Sequence, residues 1–270
     1  MQKFSKISLV CSIVFSSFIT SVEADECASN GKITVANNAN QVILCSALDR
    51  DALWGYSTDK KVPIWGSMKV KEHPPYTSHL DGNELQRVDG LSRNKQSEKA
   101  DYASSGLIGA NLLPLYLLTS EPAKQRRLQA MNNIYPISPN KLKGNYGVAI
   151  AKGHEKDAYY RIDKGEYQLL VGLVYPDISE LEEPSHMFKV YYSDLYDLTL
   201  SLLFEVDNKL KHPVSGDNIV SIDCIEKLAG IDIKLPVSHN VELDIENAKA
   251  LTTDVWARRD GNTEVVTCRG

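Results

Sequence analysis

The sequence predicts an α+β fold built on a largely antiparallel sheet. Short apolar runs of strand length, rich in β-branched and aromatic residues, recur along the chain. Helical patterns lie among them without the regular alternation of strand and helix that is typical of a parallel sheet. No internal repeat, low-complexity tract or linker divides the chain, so residues 25–270 are predicted to form a single domain.

The elements follow in order along the chain. Residues 71–99 are polar and rich in turn formers, which indicates a surface loop. Ser120 suits the N-cap of a helix at 120–134, because Pro122 follows in the first turn. Strands are predicted at residues 41–48, 52–57, 61–70 and 167–175, a hairpin at 186–195 with 198–206, and a short helix at 221–231.

The first 24 residues have the pattern of a cleaved signal peptide. Lys3 and Lys6 precede an apolar run of 13 residues at 7–19, and Ala24 ends a Val-Glu-Ala cleavage signal. A membrane span needs about 20 residues, although an uncleaved anchor stays open as an alternative. The pattern predicts a secreted or periplasmic protein without a membrane anchor.

The mature chain would be acidic. Removing residues 1–24 takes away two lysines and one glutamate, which leaves 28 basic and 34 acidic residues and a net charge of −6. Sequence-independent binding to nucleic acid comes mainly from lysine and arginine contacts with phosphates, so this charge disfavours it without excluding a local basic groove. The acidic run at 179–184 indicates a solvated face.

Four cysteines remain in the mature chain, which predicts two disulfides in an exported protein. The favoured pairs are Cys27 with Cys45 and Cys224 with Cys268, each joining a terminal segment to the body of the domain. Two other pairings stay open. Zinc binding is disfavoured because the chain has no C-x-x-C spacing.

Six segments resemble, in order and spacing, the DNA/RNA non-specific endonucleases of the ββα-metal type. The resemblance runs from about Leu44 to Pro236. It implies a central antiparallel sheet with helices on both sides and one cleft, in which a histidine acts as general base and an asparagine holds magnesium. The segments are residues 52–70, 100–114, 131–146, 167–175, 184–192 and 221–233.

The catalytic positions implied by this resemblance have lost their reactive side chains. After Ser105-Gly106 the family has an aromatic residue, then Asp, Arg, Gly, His and Leu. The aspartate, arginine and histidine positions here hold Ile108, Gly109 and Asn111. An amide such as Asn111 takes no proton near neutral pH, so the general base is missing.

The second motif is partly retained. Asn133 matches a family asparagine that contacts the site, but the metal-binding asparagine falls at Leu142 or, with a shift of one residue, at Lys143. The family glutamate falls at Ile150. A rebuilt site would need new groups: Asn140, Asn145 and Glu155 as magnesium ligands, and His154 as a replacement base.

These residues predict a nuclease-fold protein that has lost catalysis and binds nucleic acid, a nucleotide or a protein partner. The alternative is an active Mg²⁺-dependent non-specific endonuclease or phosphodiesterase with a rebuilt active site. Magnesium is expected only in the active case. The sequence carries no prediction of oligomeric state.

Overall fold

A computed structural model describes the chain in eleven ranges. The predicted signal peptide, Cys27, Cys268, Asn145 and His154 lie outside them, as do Ile150 and Glu155. The described ranges are residues 32–36, 41–45, 52–70, 87–88, 91–114, 130–143, 166–176, 181–193, 198–206, 218 and 220–247.

A six-stranded sheet, antiparallel throughout, is the centre of the fold. Its strand order is β2-β3-β4-β7-β8-β9, so the α+β prediction with a large antiparallel sheet is confirmed. The strands are β1 Thr34–Val35, β2 Gln41–Cys45, β3 Ala52–Ser57, β4 Val62–Val70, β5 Ile108–Asn111, β6 Ile134–Ile137, β7 Tyr167–Val174, β8 His186–Ser193, β9 Leu198–Glu205 and β10 Ile233–Lys234.

Helices are short and few among the described residues. They are α1 Lys99–Ser105, α2 Pro139–Lys143, α3 Ile222–Ala229 and α4 His239–Asn247. The predicted helix at 120–134 is wrong at its end, because Met131–Asn133 form a 3-10 turn that leads into β6. The rest of that prediction, residues 120–129, lies outside the described ranges. No helix in these ranges is long and apolar enough to cross a membrane.

Strand alternation gives the sheet two buried faces. On one face Leu169 and Val171 pack with residues of β5, β6 and α2, and we call this layer the hairpin side. On the other face Leu170 and Phe188 pack with β1, β10, α3 and α4, and we call this layer the helical side. Gly66 fits the hairpin closely against β4, since a Cβ there would lie 2.8 Å from Cγ of Leu113.

Two carboxylates hold the helical side together. Glu226 of α3 accepts a hydrogen bond from the backbone N–H of Ile233 at 2.6 Å, and Glu242 of α4 accepts one from Leu235 at 2.9 Å. The amide oxygen of Gln168 accepts the N–H of Ile33 at 2.6 Å, which fixes β1 to the central sheet. Side-chain hydrogen bonds therefore attach the β1 region to the central sheet and the β10 region to α3 and α4.

Cys45 and Cys224 are each disulfide-bonded. Both pack in the helical-side core, Cys224 on α3 and Cys45 at the end of β2. Their predicted partners, Cys27 and Cys268, lie outside the described ranges, so the pairing stays a prediction.

The surface-loop prediction for residues 71–99 is wrong where the segment approaches α1. Gln96 and Ser97 are buried, at 3% and 0% exposure. The Gln96 amide organises the turn, because its oxygen accepts the N–H of Val88 at 2.8 Å and its nitrogen donates to the carbonyl of Leu91 at 2.8 Å. Polarity indicated exposure, but the amide of Gln96 bonds to the backbone instead.

Candidate functional site

The candidate site is the β5–β6 hairpin together with α2, which follows it directly. Gly106 ends α1 with φ at 73°, a left-handed conformation that glycine adopts without strain, and the chain turns there into β5. The antiparallel register places Asn111 opposite Ile134, and Gly109 opposite Pro136. Leu112 and Leu113 continue from β5 into the hairpin-side core. Two strands and a helix thus succeed one another around Asn111.

Asn111 stands at the end of β5 with a partly buried side chain. Its amide oxygen is buried and has no hydrogen-bond partner in the described part of the chain. The opposite residue, Ile134, packs against Tyr102 of α1, whose hydroxyl donates to the Ile134 carbonyl at 3.3 Å. An amide in this place can accept or donate a hydrogen bond, but it cannot abstract a proton from water.

Asn133 is fully buried, and hydrogen bonds within the protein occupy its amide. The oxygen accepts from Nε1 of Trp54 at 3.0 Å and from the backbone N–H of Leu113 at 2.8 Å. The nitrogen donates to the Leu113 carbonyl at 3.1 Å. Both lone pairs of the oxygen are thus used, so the side chain joins the hairpin to β3 and has no acceptor left for a metal or substrate.

The described residues around α2 do not fit a magnesium site. Leu142, at the metal-binding position, has no donor atom and packs against the hairpin-side core. Lys143 is an exposed cation, and Asn140 is exposed on the same short helix. Within the described ranges no three His, Cys, Asp or Glu side chains form a group able to hold a metal ion. The roles of Asn145 and Glu155 as ligands and of His154 as base stay predictions.

Tyrosine hydroxyls near the hairpin do not replace the missing base. Burial raises the pKa of Tyr56 to about 12. Burial also raises the pKa of Tyr102, whose hydroxyl lies near Ser97. Both phenols are therefore protonated at neutral pH and are poor general bases there.

A residue of the loop between β7 and β8 contacts the start of α2, and the sequence did not predict this contact. Glu183 accepts hydrogen bonds from the backbone N–H of Ser138 and from Nζ of Lys141, the latter at 2.9 Å. The two charged side chains are 24% and 26% exposed. The predicted solvated face at 179–184 is therefore wrong for Glu183, which is bound at the start of α2.

The surroundings of Glu183 favour its charged form. Burial acts to raise the pKa of Glu183, but hydrogen bonds from Lys141 and Ser138 outweigh it, so the pKa lies below 4.5. Nearby, Leu181 has φ at 56° and packs against Tyr102 and Ile134. A left-handed conformation costs a branched residue about 1–2 kcal/mol, so packing and the Glu183 contacts hold the loop in place against this strain.

Charge is distributed unequally between the two sides. On the hairpin side, the described parts of 87–143 together with 181–185 carry six basic and four acidic residues. On the helical side, residues 220–247 carry two basic and six acidic residues. Arg87 and Arg93 both bind Glu98, yet their side chains are 57% and 71% exposed. The net negative charge of the chain is thus not a property of the hairpin side.

Searches with protein-family models and among curated proteins find no match for this chain.

Proposed function

We propose that the protein is a non-catalytic relative of the ββα-metal nucleases that binds nucleic acid on its hairpin side without cleaving it. The succession of β5, β6 and α2 agrees with the strand–strand–helix unit that the resemblance implies. Gly106, Leu112 and Leu113 maintain this unit by ending α1 and filling the core. The frame has a structural reason to persist after the reactive side chains are lost.

The hydrogen bonds of the Asn133 amide are the main observation that supports this proposal. Asn133 is the one site residue that the resemblance retains, and its amide oxygen is saturated by Trp54 and Leu113. A metal ion would have to displace two buried hydrogen bonds to reach the amide oxygen, at a cost of about 1–3 kcal/mol for each buried group left unpaired. The retained asparagine thus has a stabilising role that explains its presence without catalysis.

Charge favours nucleic acid over the other partners. The hairpin side carries the excess of basic residues, and lysines at the helix α2 are exposed or partly exposed. Such side chains bind phosphate groups without reading the base sequence. The acidic helical side would face away from the polyanion. Export through the predicted signal peptide would place this binding in the periplasm or outside the cell.

Cleavage of plasmid DNA tests the non-catalytic part. The chain from residue 25, freed of contaminating nuclease, should leave supercoiled plasmid intact with Mg²⁺ or Mn²⁺. Asn111→His should also stay inactive, because a general base worth about 10²–10⁴ in rate acts here without the arginine and the metal. Metal-dependent nicking by the wild type that is lost in His154→Ala would overturn the proposal and favour the rebuilt active site.

A further inference from the structure

Lys141 is the basic residue of α2 that is already bound to an internal anion. Its Nζ lies 2.9 Å from Oε2 of Glu183, while Oε1 of the same carboxylate accepts the N–H of Ser138. A lysine ammonium and a backbone N–H are the donors that proteins commonly use for phosphate oxygens. Glu183 therefore occupies two donors of the kind that also binds phosphate oxygens.

We propose that Glu183 is an intramolecular competitor of phosphate, which masks Lys141 and limits the affinity of the hairpin side for nucleic acid. This inference rests on the proposed function. One ammonium cannot give its best contacts to a carboxylate and a phosphate together, so nucleic acid must displace Glu183 to use Lys141. Glu183 thus lowers non-specific binding without removing the basic residue itself.

The position of the contact allows such displacement. About a quarter of each side chain is exposed, so solvent and a ligand reach both groups. The loop that carries Glu183 includes Leu181 in a left-handed conformation, which packing and the Glu183 contacts hold against its strain. The loop is also anchored at Ser185, whose N–H donates to the Val174 carbonyl at 2.7 Å. Movement would therefore be confined to the few residues before Ser185.

The test is a titration of a fluorescent single-stranded 20-nucleotide DNA, followed by anisotropy at several salt concentrations. Glu183→Gln removes the negative charge but keeps an oxygen that can accept the Ser138 N–H. We expect binding roughly five- to tenfold tighter near 0.1 M salt, and a salt dependence steeper by about 0.7, which is the contribution of one added phosphate contact. In Glu183→Gln/Lys141→Gln the gain should disappear.

Glu182→Gln is the matched control, because it changes the net charge equally at the neighbouring position. It should tighten binding by less than about twofold, because it leaves the contact between Glu183 and Lys141 intact. Equal gains in Glu182→Gln and Glu183→Gln would overturn the masking role while leaving the proposed function intact. Absence of DNA binding by every variant would overturn both.

Amine labelling of the wild type gives an answer even if Glu183→Gln does not fold. Mild acetylation followed by peptide mass spectrometry compares Lys141 with Lys143 of the same helix. Masking by Glu183 predicts slower acetylation of Lys141. Equal rates for the two lysines would contradict the inference.

Discussion

The two sides of the central sheet use polar side chains in the same way, to bind backbone N–H groups, but they differ in charge. On the helical side, Glu226 and Glu242 bind backbone N–H groups of the β10 region, and this layer is strongly acidic. On the hairpin side, Asn133 and Glu183 bind groups that lie where a nuclease-like site would be, and basic residues exceed acidic ones. A polar side chain can thus link backbone segments on either side of the sheet, whichever charge predominates around it.

The largest effect is expected at Asn133. Asn133→Ala would leave Nε1 of Trp54 and the backbone N–H and carbonyl of Leu113 without partners in a buried region. We expect a loss of about 3–5 kcal/mol in the free energy of unfolding, measured by urea denaturation. Asn140→Ala, at an exposed asparagine of α2, should cost less than about 0.5 kcal/mol. A loss below about 1 kcal/mol for Asn133→Ala would mean that the amide is not structural.

The next largest effect is the pH dependence of the stability that Glu183 contributes on the hairpin side. The pKa of Glu183 is lowered in the folded protein, so its stabilisation is complete above the unfolded value near 4.5 and disappears as pH falls through the folded value. Glu183→Gln should therefore reduce the free energy of unfolding by about 1 kcal/mol at pH 7, given partial exposure. The wild-type and variant stabilities should converge as pH falls through the lowered folded pKa. A difference that persists below that pKa would contradict the ion pair.

Glu226 on the helical side should show a smaller effect of opposite sign. Burial raises the pKa of Glu226, and the charges of Asp232 and Asp223 act in the same direction. Its contribution to stability is thus complete below the unfolded value near 4.5 and is lost as pH rises through the folded value. Glu226→Gln keeps an acceptor for the Ile233 N–H and should gain roughly 0.5 kcal/mol at pH 7. Destabilisation at pH 7 would show that the charge itself is needed.

Most of the sheet was predictable from the sequence, because its strands are long runs with continuous burial. β3 spans the predicted residues 52–57, all of them buried. β1 and β10 have two residues each, too few to show a period. Helix α4 was missed because its sequence, His239–Asn247, is polar and acidic with only a few apolar residues.

The site was less predictable, because its decisive contacts join residues far apart in the chain. Asn133 could be singled out by the resemblance, but its partner Trp54 lies 79 residues away. Glu183 lies 42 residues from Lys141 and belongs to an acidic run that indicates solvent exposure. Nothing in the local sequence around Lys141 identified this acid.

A pair of charge-reversal variants tests whether nucleic acid binds the hairpin side. Lys143 and Lys227 are exposed lysines in the last turns of α2 and α3, on opposite sides of the sheet. Anisotropy titration with single-stranded DNA should show roughly tenfold weaker binding for Lys143→Glu and a change of less than about twofold for Lys227→Glu. Equal weakening of both variants, or a larger effect of Lys227→Glu, would contradict the account.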